Sequence, residues 1–418
     1  MHNERDGERD RRLTRLCQRV LELVPAAELP GAGGDTRQPW PSEVLPLTAR
    51  WEQGRVDGVP MLPVGYLVRE ELADIRSAVL DGRSTVVGVV GRVSGVGLIG
   101  QGGIGKTVLA TALARDPVVG RSFPDGIFWV TLGENADFLA AQLDLLARLG
   151  VTETTVSSVT QGTRALRDAL AQRQCLLIVD DVWSAAAAKA LAVTGPHGRV
   201  VFTTRNAQVL AAVSAQLKRV DVLSNDIARH LLAQLNNTTV EQLPAEVGRV
   251  LAGTGRVALA LALVAAAVRG GCSWAQVVAE LDRGQGIFGG HPYANTFKAL
   301  QLAVATLDDA GKEVYLSLAV FPSDTQIPLP AIARYWHRLR GLSLRQTRAR
   351  LGEFAARQLL TLNADQIGFH DLQHEYLLLQ VDDLELLHTD LLAAYCDLLT
   401  NHQQWWQLPG TNRTCGII

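Results

Sequence analysis

Gly100-Gln101-Gly102-Gly103-Ile104-Gly105-Lys106-Thr107 carries the pattern G-x-x-x-x-G-K-[ST]. Glycines at this spacing let a backbone turn tightly and aim its N–H groups at phosphate oxygens. The lysine adds a mobile positive charge, and the threonine hydroxyl can ligate magnesium. The chemistry implied is the binding of ATP or GTP with Mg²⁺. An apolar run over 96–99 leads into the pattern and a helix-like stretch over 108–115 follows it, so strand, loop and helix stand in the order this chemistry needs. Val108, which opens that stretch, is counted with the loop among the nucleotide-binding residues.

A phosphate loop needs an acidic partner to hold magnesium and orient an attacking water. Cys175-Leu176-Leu177-Ile178-Val179-Asp180-Asp181-Val182-Trp183 supplies one. An apolar run ending in two carboxylates predicts a buried parallel strand that delivers both to its carboxyl end, where open α/β sheets bind ligands. Asp180 is assigned to magnesium, and Asp181 to polarising water. A third run, Arg199-Val200-Val201-Phe202-Thr203-Thr204-Arg205, ends in a cation placed to reach a γ-phosphate and report its presence. Hydrolysis then rests on Asp181, Lys106 and Arg205.

In that order, followed by Phe369-His370-Asp371-Leu372-Gln373-His374, these motifs resemble the NB-ARC, or AP-ATPase, group of STAND P-loop NTPases, over about 60–376. The resemblance implies an α/β fold: a P-loop NTPase parallel sheet, then a small helical bundle and a winged-helix domain. It implies ATP/ADP with Mg²⁺, and a slow ATPase that works as a signal-dependent switch. Individual roles follow in the same way. Tyr66-Leu67-Val68-Arg69 looks like the segment whose backbone and arginine lie near the adenine, which gives Leu67 and Arg69 to the nucleotide. The stretch 123–130 looks like the strand after the phosphate-loop helix. His370 matches a histidine that touches the ADP β-phosphate in a closed state, with Asp371 supporting it. Two positions depart from the family pattern. Ala258, in Gly255-Arg256-Val257-Ala258-Leu259-Ala260-Leu261, stands where relatives carry a proline that packs on adenine, and Phe369 replaces a methionine.

The 418 residues are 47% hydrophobic and 20% charged, enough for several buried cores, and the formal net charge of −2 gives no overall pull toward nucleic acid. Five scattered cysteines (Cys17, Cys175, Cys272, Cys396, Cys415) lack metal-ligand spacing and argue for free thiols in a reducing compartment. The start, Met1-His2-Asn3-Glu4-Arg5-Asp6, is too polar for a secretory signal, and the longest apolar run, 257–268, is too short to cross a bilayer. A cytoplasmic protein without membrane contact is expected.

Composition shifts suggest five segments. Residues 1–56 hold one amphipathic helix over 8–25 and a Pro- and Gly-rich linker. Residues 57–223 form the nucleotide-binding α/β domain, and 224–290 a helical domain that Ser224 begins. Residues 291–380 form the winged helix, with helices over 297–307, 310–320, 329–336 and 344–357 and strands over 359–362 and 367–370. Residues 381–418 form a helical tail cut off before the repeat sensor carried by family members. In that tail Trp405 and Trp406 fit either an outside packing partner or a fold-back onto the winged helix.

Arg345, Arg348, Arg350 and Arg357, with Arg334, Arg338 and Arg340 just before, offer a basic face to DNA phosphates. A nucleotide-regulated transcription factor acting through its winged helix is therefore the alternative function, although a solvated charged face accounts for the same residues. His370 and His374 have the i, i+4 spacing of a zinc pair. Asp371, however, is one methylene shorter than the glutamate such a site uses, and no third ligand is in view, so His370 is given to ADP. A small-molecule kinase lacks a readable acceptor pocket. The favoured reading is a closed ADP form that opens on exchange for ATP and forms a homo-oligomer. It would answer to an unidentified sensor or effector protein, with DNA set aside as a partner.

Overall fold

In the computed structural model, which describes residues 55–63, 65–81, 95–134, 136–151, 155–323 and 325–401, the short apolar runs of the sequence form parallel strands. The helix expected over 8–25 and the pair Trp405 and Trp406 lie outside the described residues. Strands β1 (Val56–Asp57), β2 (Gly95–Ile99), β3 (Ile127–Thr131), β4 (Leu176–Asp180), β5 (Arg199–Thr204) and β6 (Gln216–Arg219) make one sheet in the order β1-β3-β4-β5-β2-β6. Every pairing in it is parallel. Ile99 of β2 sits opposite Thr204 of β5, and Val179 of β4 opposite Phe202, so the carboxyl ends of β2, β4 and β5 are neighbours. The chain passes from β2 to β3 across two intervening strands, the kind of topological break at which such sheets bind ligands.

Helices α1 (Glu71–Leu80), α2 (Lys106–Ala114), α3 (Pro117–Ser122), α4 (Phe138–Arg148), α5 (Val159–Leu170), α6 (Ala185–Leu191) and α7 (Ala207–Ala212) accompany the sheet. Asp116, Asp137, Ser158, Ser184 and Asn206 each accept a backbone N–H where one of these helices begins, which satisfies donors that have no intrahelical partner. Leu98, Ile178, Val200, Val201 and Phe202 are fully buried, consistent with strands covered on both faces. Helices α8 (Asn225–Leu235), α9 (Val247–Thr254) and α10 (Ala258–Arg269) follow, with Ser224 capping α8 as its position suggests. The chain divides into two compact units, one ending at Leu261 and the other beginning at Ala262.

The second unit contains α11 (Trp274–Phe288), α12 (Ala294–Ala305), α13 (Asp309–Leu316), α14 (Leu329–Arg340), α15 (Leu344–Ala356), α16 (Asp371–Gln380) and α17 (Leu384–Asn401). Its small antiparallel sheet joins β7 (Ile327–Pro328), β9 (Gln366–Gly368) and β8 (Thr361–Asn363). Helices followed by a hairpin therefore stand where the sequence suggested them. Trp336, buried against Phe354, donates its indole N–H to Ser317 Oγ at 3.0 Å, so the largest side chain of this core leaves no unpaired donor.

Two local expectations need correction. Residues 123–126 form a turn with Gly126 at φ 122°, and β3 begins only at Ile127, because Pro124 offers no N–H to a strand ladder. Leu359 and Leu360 are buried but precede β8, which starts at Thr361 after Gln358 takes φ 59°. Gly253 and Thr254 belong to α9, leaving Gly255 at φ 58° to end the helix. Among the described residues no helix is long and apolar enough to cross a membrane.

Gly97 sits in the middle of β2, where a Cβ would lie 2.3 Å from Leu210 Cδ2. Gly97→Ala should lower stability by about 1–3 kcal/mol through overpacking. Urea unfolding should show this as a lower midpoint with an unchanged slope.

Candidate functional site

Between β2 and α2 the chain turns on glycine. Gly103 (φ 74°) and Gly105 (φ 99°) occupy left-handed backbone, which glycine adopts without steric cost. A Cβ on Gly100 would fall 2.5 Å from the Val220 carbonyl oxygen, so the loop lies hard against the end of β6. Among the described residues the amides of Gly103 through Thr107 donate to no backbone carbonyl. They sit at the N-terminus of α2, where unpaired donors and the helix dipole together favour an anion. Lys106, the first residue of α2, is only 9% exposed. Its Nζ donates to the carbonyls of Gly100 (2.9 Å) and Gln101 (3.0 Å). Burial, then the Arg205 guanidinium, pulls its pKa down to about 8, against the opposing pull of Asp181 and Asp180.

Asp180 ends β4 and is 4% exposed. Thr107 Oγ1 donates to its Oδ1 at 3.0 Å, and Thr203 Oγ1 donates to the same oxygen at 2.5 Å. Burial raises its pKa to about 6 even though these two hydroxyls and Lys106 favour the carboxylate. A hydroxyl and a carboxylate in contact form an all-oxygen donor set suited to a hard divalent cation. Such a cation would supply the positive charge that burial otherwise draws from a proton.

Asp181 leaves the strand with φ 54°, a left-handed conformation that is costly for a residue with a side chain. It is pinned from both sides: its N–H donates to Thr203 Oγ1 at 2.8 Å, and its carbonyl accepts from Gly133 N at 3.2 Å. The Trp183 indole N–H donates to Asp181 Oδ2 at 2.7 Å, and Arg205 Cζ lies 5.2 Å from the Trp183 ring centroid.

Arg69 is 6% exposed and braces the loop from behind. It donates to the carbonyls of Ile104 (2.8 Å) and Asp221 (2.7 Å) and pairs with Glu71 at 2.5 Å. Leu67, two residues earlier, is half-buried. Ala258 opens α10, and the next residue, Leu259, donates its N–H to the Gly103 carbonyl at 3.1 Å, which joins the helical segment to the phosphate loop. The fold thus brings the loop, Asp180, Asp181, Arg205, Arg69 and the Ala258 segment into one unit. His370 belongs to the other unit, where it caps α16 and holds Nδ1 2.6 Å from Asp371 Oδ1. His374 directs Nε2 to the Ala319 carbonyl at 3.0 Å, and burial lowers its pKa, so this ring has a structural contact instead of a shared zinc with His370. Sequence reasoning passed over Thr203, Glu71 and the indole of Trp183. The polar Thr-Thr pair at the end of an otherwise apolar run was the one available signal.

The NB-ARC domain profile matches residues 89–241. Apoptotic protease-activating factor 1 of Danio rerio is 27% identical over 365 residues, covering 81% of this chain and 28% of that protein. A disease resistance protein of Arabidopsis thaliana is 26% identical over 305 residues, covering 68% of this chain and 29% of its own length. The chain therefore spans less than a third of either relative. Among solved structures, a signal transduction ATPase with numerous domains (STAND) that has a tetratricopeptide repeat sensor, from Pyrococcus horikoshii, shares the fold. It has a TM-score of 0.55 and 17% identity, over 85% of this chain and 47% of that one.

With the Lys106 pKa lowered to about 8, its ammonium is already charged at neutral pH and partly neutral above pH 8. An incoming phosphate favours the charged form and raises that pKa, so binding in this range must draw a proton from solution. Calorimetry with Mg²⁺ and ATP in buffers of different ionisation enthalpy should show proton uptake at a pH near 8.7 and much less near 7. Lys106→Arg should remove the difference.

Proposed function

The chain belongs to the NB-ARC family of STAND P-loop NTPases and carries its nucleotide-binding signal-transduction domain, and from that premise we propose that it is an ATP/ADP switch with slow Mg²⁺-dependent ATPase activity. The observation that carries this reading is the grouping at the carboxyl ends of β2, β4 and β5. There Lys106 lies in the field of Asp180, Asp181 and Arg205, and Thr107 is hydrogen-bonded to Asp180.

Gly100 through Val108 would hold the phosphates, with Leu67, Arg69 and the Ala258 segment toward the base. Thr107 and Asp180 would hold Mg²⁺, which supplies Lewis-acid polarisation of phosphate oxygens when bound. Asp181 would accept a proton from the attacking water, while Lys106 and Arg205 offset the charge that builds on the terminal phosphate.

A nucleotide moves a two-state equilibrium only by its differential affinity for the two states, and swinging one from mostly closed to mostly open takes about 5 kcal/mol. Arg205 would favour the triphosphate. His370 would favour ADP by touching its β-phosphate in a closed form. The Leu259 to Gly103 hydrogen bond gives the loop a direct mechanical connection to α10. Exchange for ATP would release the module of α13 to α15 and β7 to β9, read as a winged helix, for homo-oligomerisation in the cytoplasm. A sensor or effector protein would complete the signalling.

The DNA-binding alternative loses weight because four of the seven arginines of the basic face are engaged in ion pairs. Arg348 pairs with Asp365 (2.6 Å), Arg350 with Asp308 (2.8 Å) and Glu353 (2.8 Å), Arg357 with Glu353 (3.0 Å), and Arg340 with Glu313. Each such exposed pair adds little stability, yet together they offset much of the positive charge that a phosphate backbone would need.

Gentle denaturation of the purified protein should release stoichiometric ADP from the wild type, none from Lys106→Ala and much less from His370→Ala, read by chromatography. Asp181→Ala should still bind ATP but hydrolyse it at least ~100-fold more slowly, the usual scale of losing a general base. An empty wild type that shifts duplex DNA through Arg345 and Arg348 would replace the switch by the transcriptional reading.

A further inference from the structure

The indole of Trp183 touches both charged groups on which the proposed switch turns. Its N–H donates to Asp181 Oδ2 at 2.7 Å, and its face lies 5.2 Å from Arg205 Cζ. We propose that Trp183 is a positioning residue that couples water activation to γ-phosphate sensing: one edge orients the Asp181 carboxylate, and the ring face holds the Arg205 guanidinium until a γ-phosphate draws it away. The inference rests on the nucleotide-switch reading above and deepens it.

The geometry supports each half. The Asp181 backbone is already fixed by Thr203 and Gly133, in a strained conformation, so rotation of its carboxylate is the main freedom left. A hydrogen bond from a half-buried indole removes that freedom without adding charge. The residue between them, Val182, is itself stitched to β5: its N–H donates to the Thr203 carbonyl at 2.9 Å, and its carbonyl accepts from Thr204 Oγ1 at 2.6 Å. Indole and Arg205 therefore ride on the same strand end. A guanidinium binds phosphate oxygens more strongly than an aromatic face, so a terminal phosphate within reach wins the competition, whereas a diphosphate leaves Arg205 on the ring. Trp183 thereby favours the resting position of the sensor and, through its other edge, keeps Asp181 aimed.

Trp183→Phe keeps a ring face for Arg205 and deletes the N–H; Trp183→Leu deletes both. Trp183→Phe should bind ATP and ADP with wild-type affinity but turn over ~10-fold more slowly, the scale of losing a hydrogen bond to a charged group. Trp183→Leu should lose the same turnover and also shift the affinity ratio toward ATP by ~3-fold, the scale of an exposed cation–π contact. Added to Asp181→Ala, Trp183→Phe should cause no further loss of turnover, a result that a merely structural tryptophan would not give. If Trp183→Phe does not fold by circular dichroism, Trp183→His tests the same pair with an N–H donor on a smaller ring and should keep more turnover than Trp183→Leu. Wild-type turnover in Trp183→Phe, beside a silent Asp181→Ala, would overturn the role of Trp183 and leave the switch standing. Wild-type turnover in Asp181→Ala would instead overturn the site assignment on which it rests.

Discussion

The fold around the nucleotide site is organised by one electrostatic constraint: Lys106 and Asp180 are both buried at the carboxyl ends of the central strands. Ionised groups taken out of water cost several kcal/mol each unless polar partners replace the lost hydration. The two pKa values show how far that replacement goes, since the lysine is lowered to about 8 and the aspartate raised to about 6. Loop carbonyls partner the ammonium, and two threonine hydroxyls partner the carboxylate. Neither group is fully compensated. A polyanion with a divalent cation would supply what each lacks, a negative charge for Lys106 and a positive one for Asp180, so the burial that strains the protein is consistent with the proposed ligand.

Meeting this constraint requires the backbone around both groups to be held in place, and the surrounding structure supplies several braces. Arg69 ties the Ile104 carbonyl to that of Asp221, and Glu71 holds Arg69 in turn. Thr203 makes two contacts at once, to the Asp180 carboxylate and the Asp181 amide, and so sets the two acidic residues relative to β5. Val220 closes behind Gly100 tightly enough that no side chain fits there. These residues need touch no ligand to decide how well one is held.

The motifs were legible because their chemistry is concentrated in short strings whose spacing has a mechanical reason. The helix start at Ser224 was equally accessible, since a cap is a local interaction. What the sequence did not reveal depends on register. Thr203 acts on Asp180 and Asp181 only because β5 pairs with β4 in a particular alignment, and the bond from Arg69 to Asp221 crosses 152 positions of chain. The turn before β3 was misread because Phe123 and the apolar run beyond it look continuous until Pro124 and Gly126 interrupt them. Trp183 lay inside a motif in plain view, but its two contacts are tertiary.

Ala258 shows how a departure from the family pattern can leave the machinery intact. It is the first residue of α10, and among the described residues its own N–H has no backbone partner. A proline suits that position for the same reason: it has no N–H to satisfy, and its fixed φ matches a helix start. Replacing proline by alanine therefore removes stiffness and ring surface without removing a hydrogen bond. The contact that fastens this helix to the phosphate loop comes from the next residue, Leu259, through backbone atoms alone, so it is indifferent to the side chain at 258. The consequence is entropic, a freer backbone in the unfolded chain, and, under the proposed placement of the base beside Ala258, a smaller face toward adenine. The connection from loop to helix is kept by backbone geometry that the substitution does not reach.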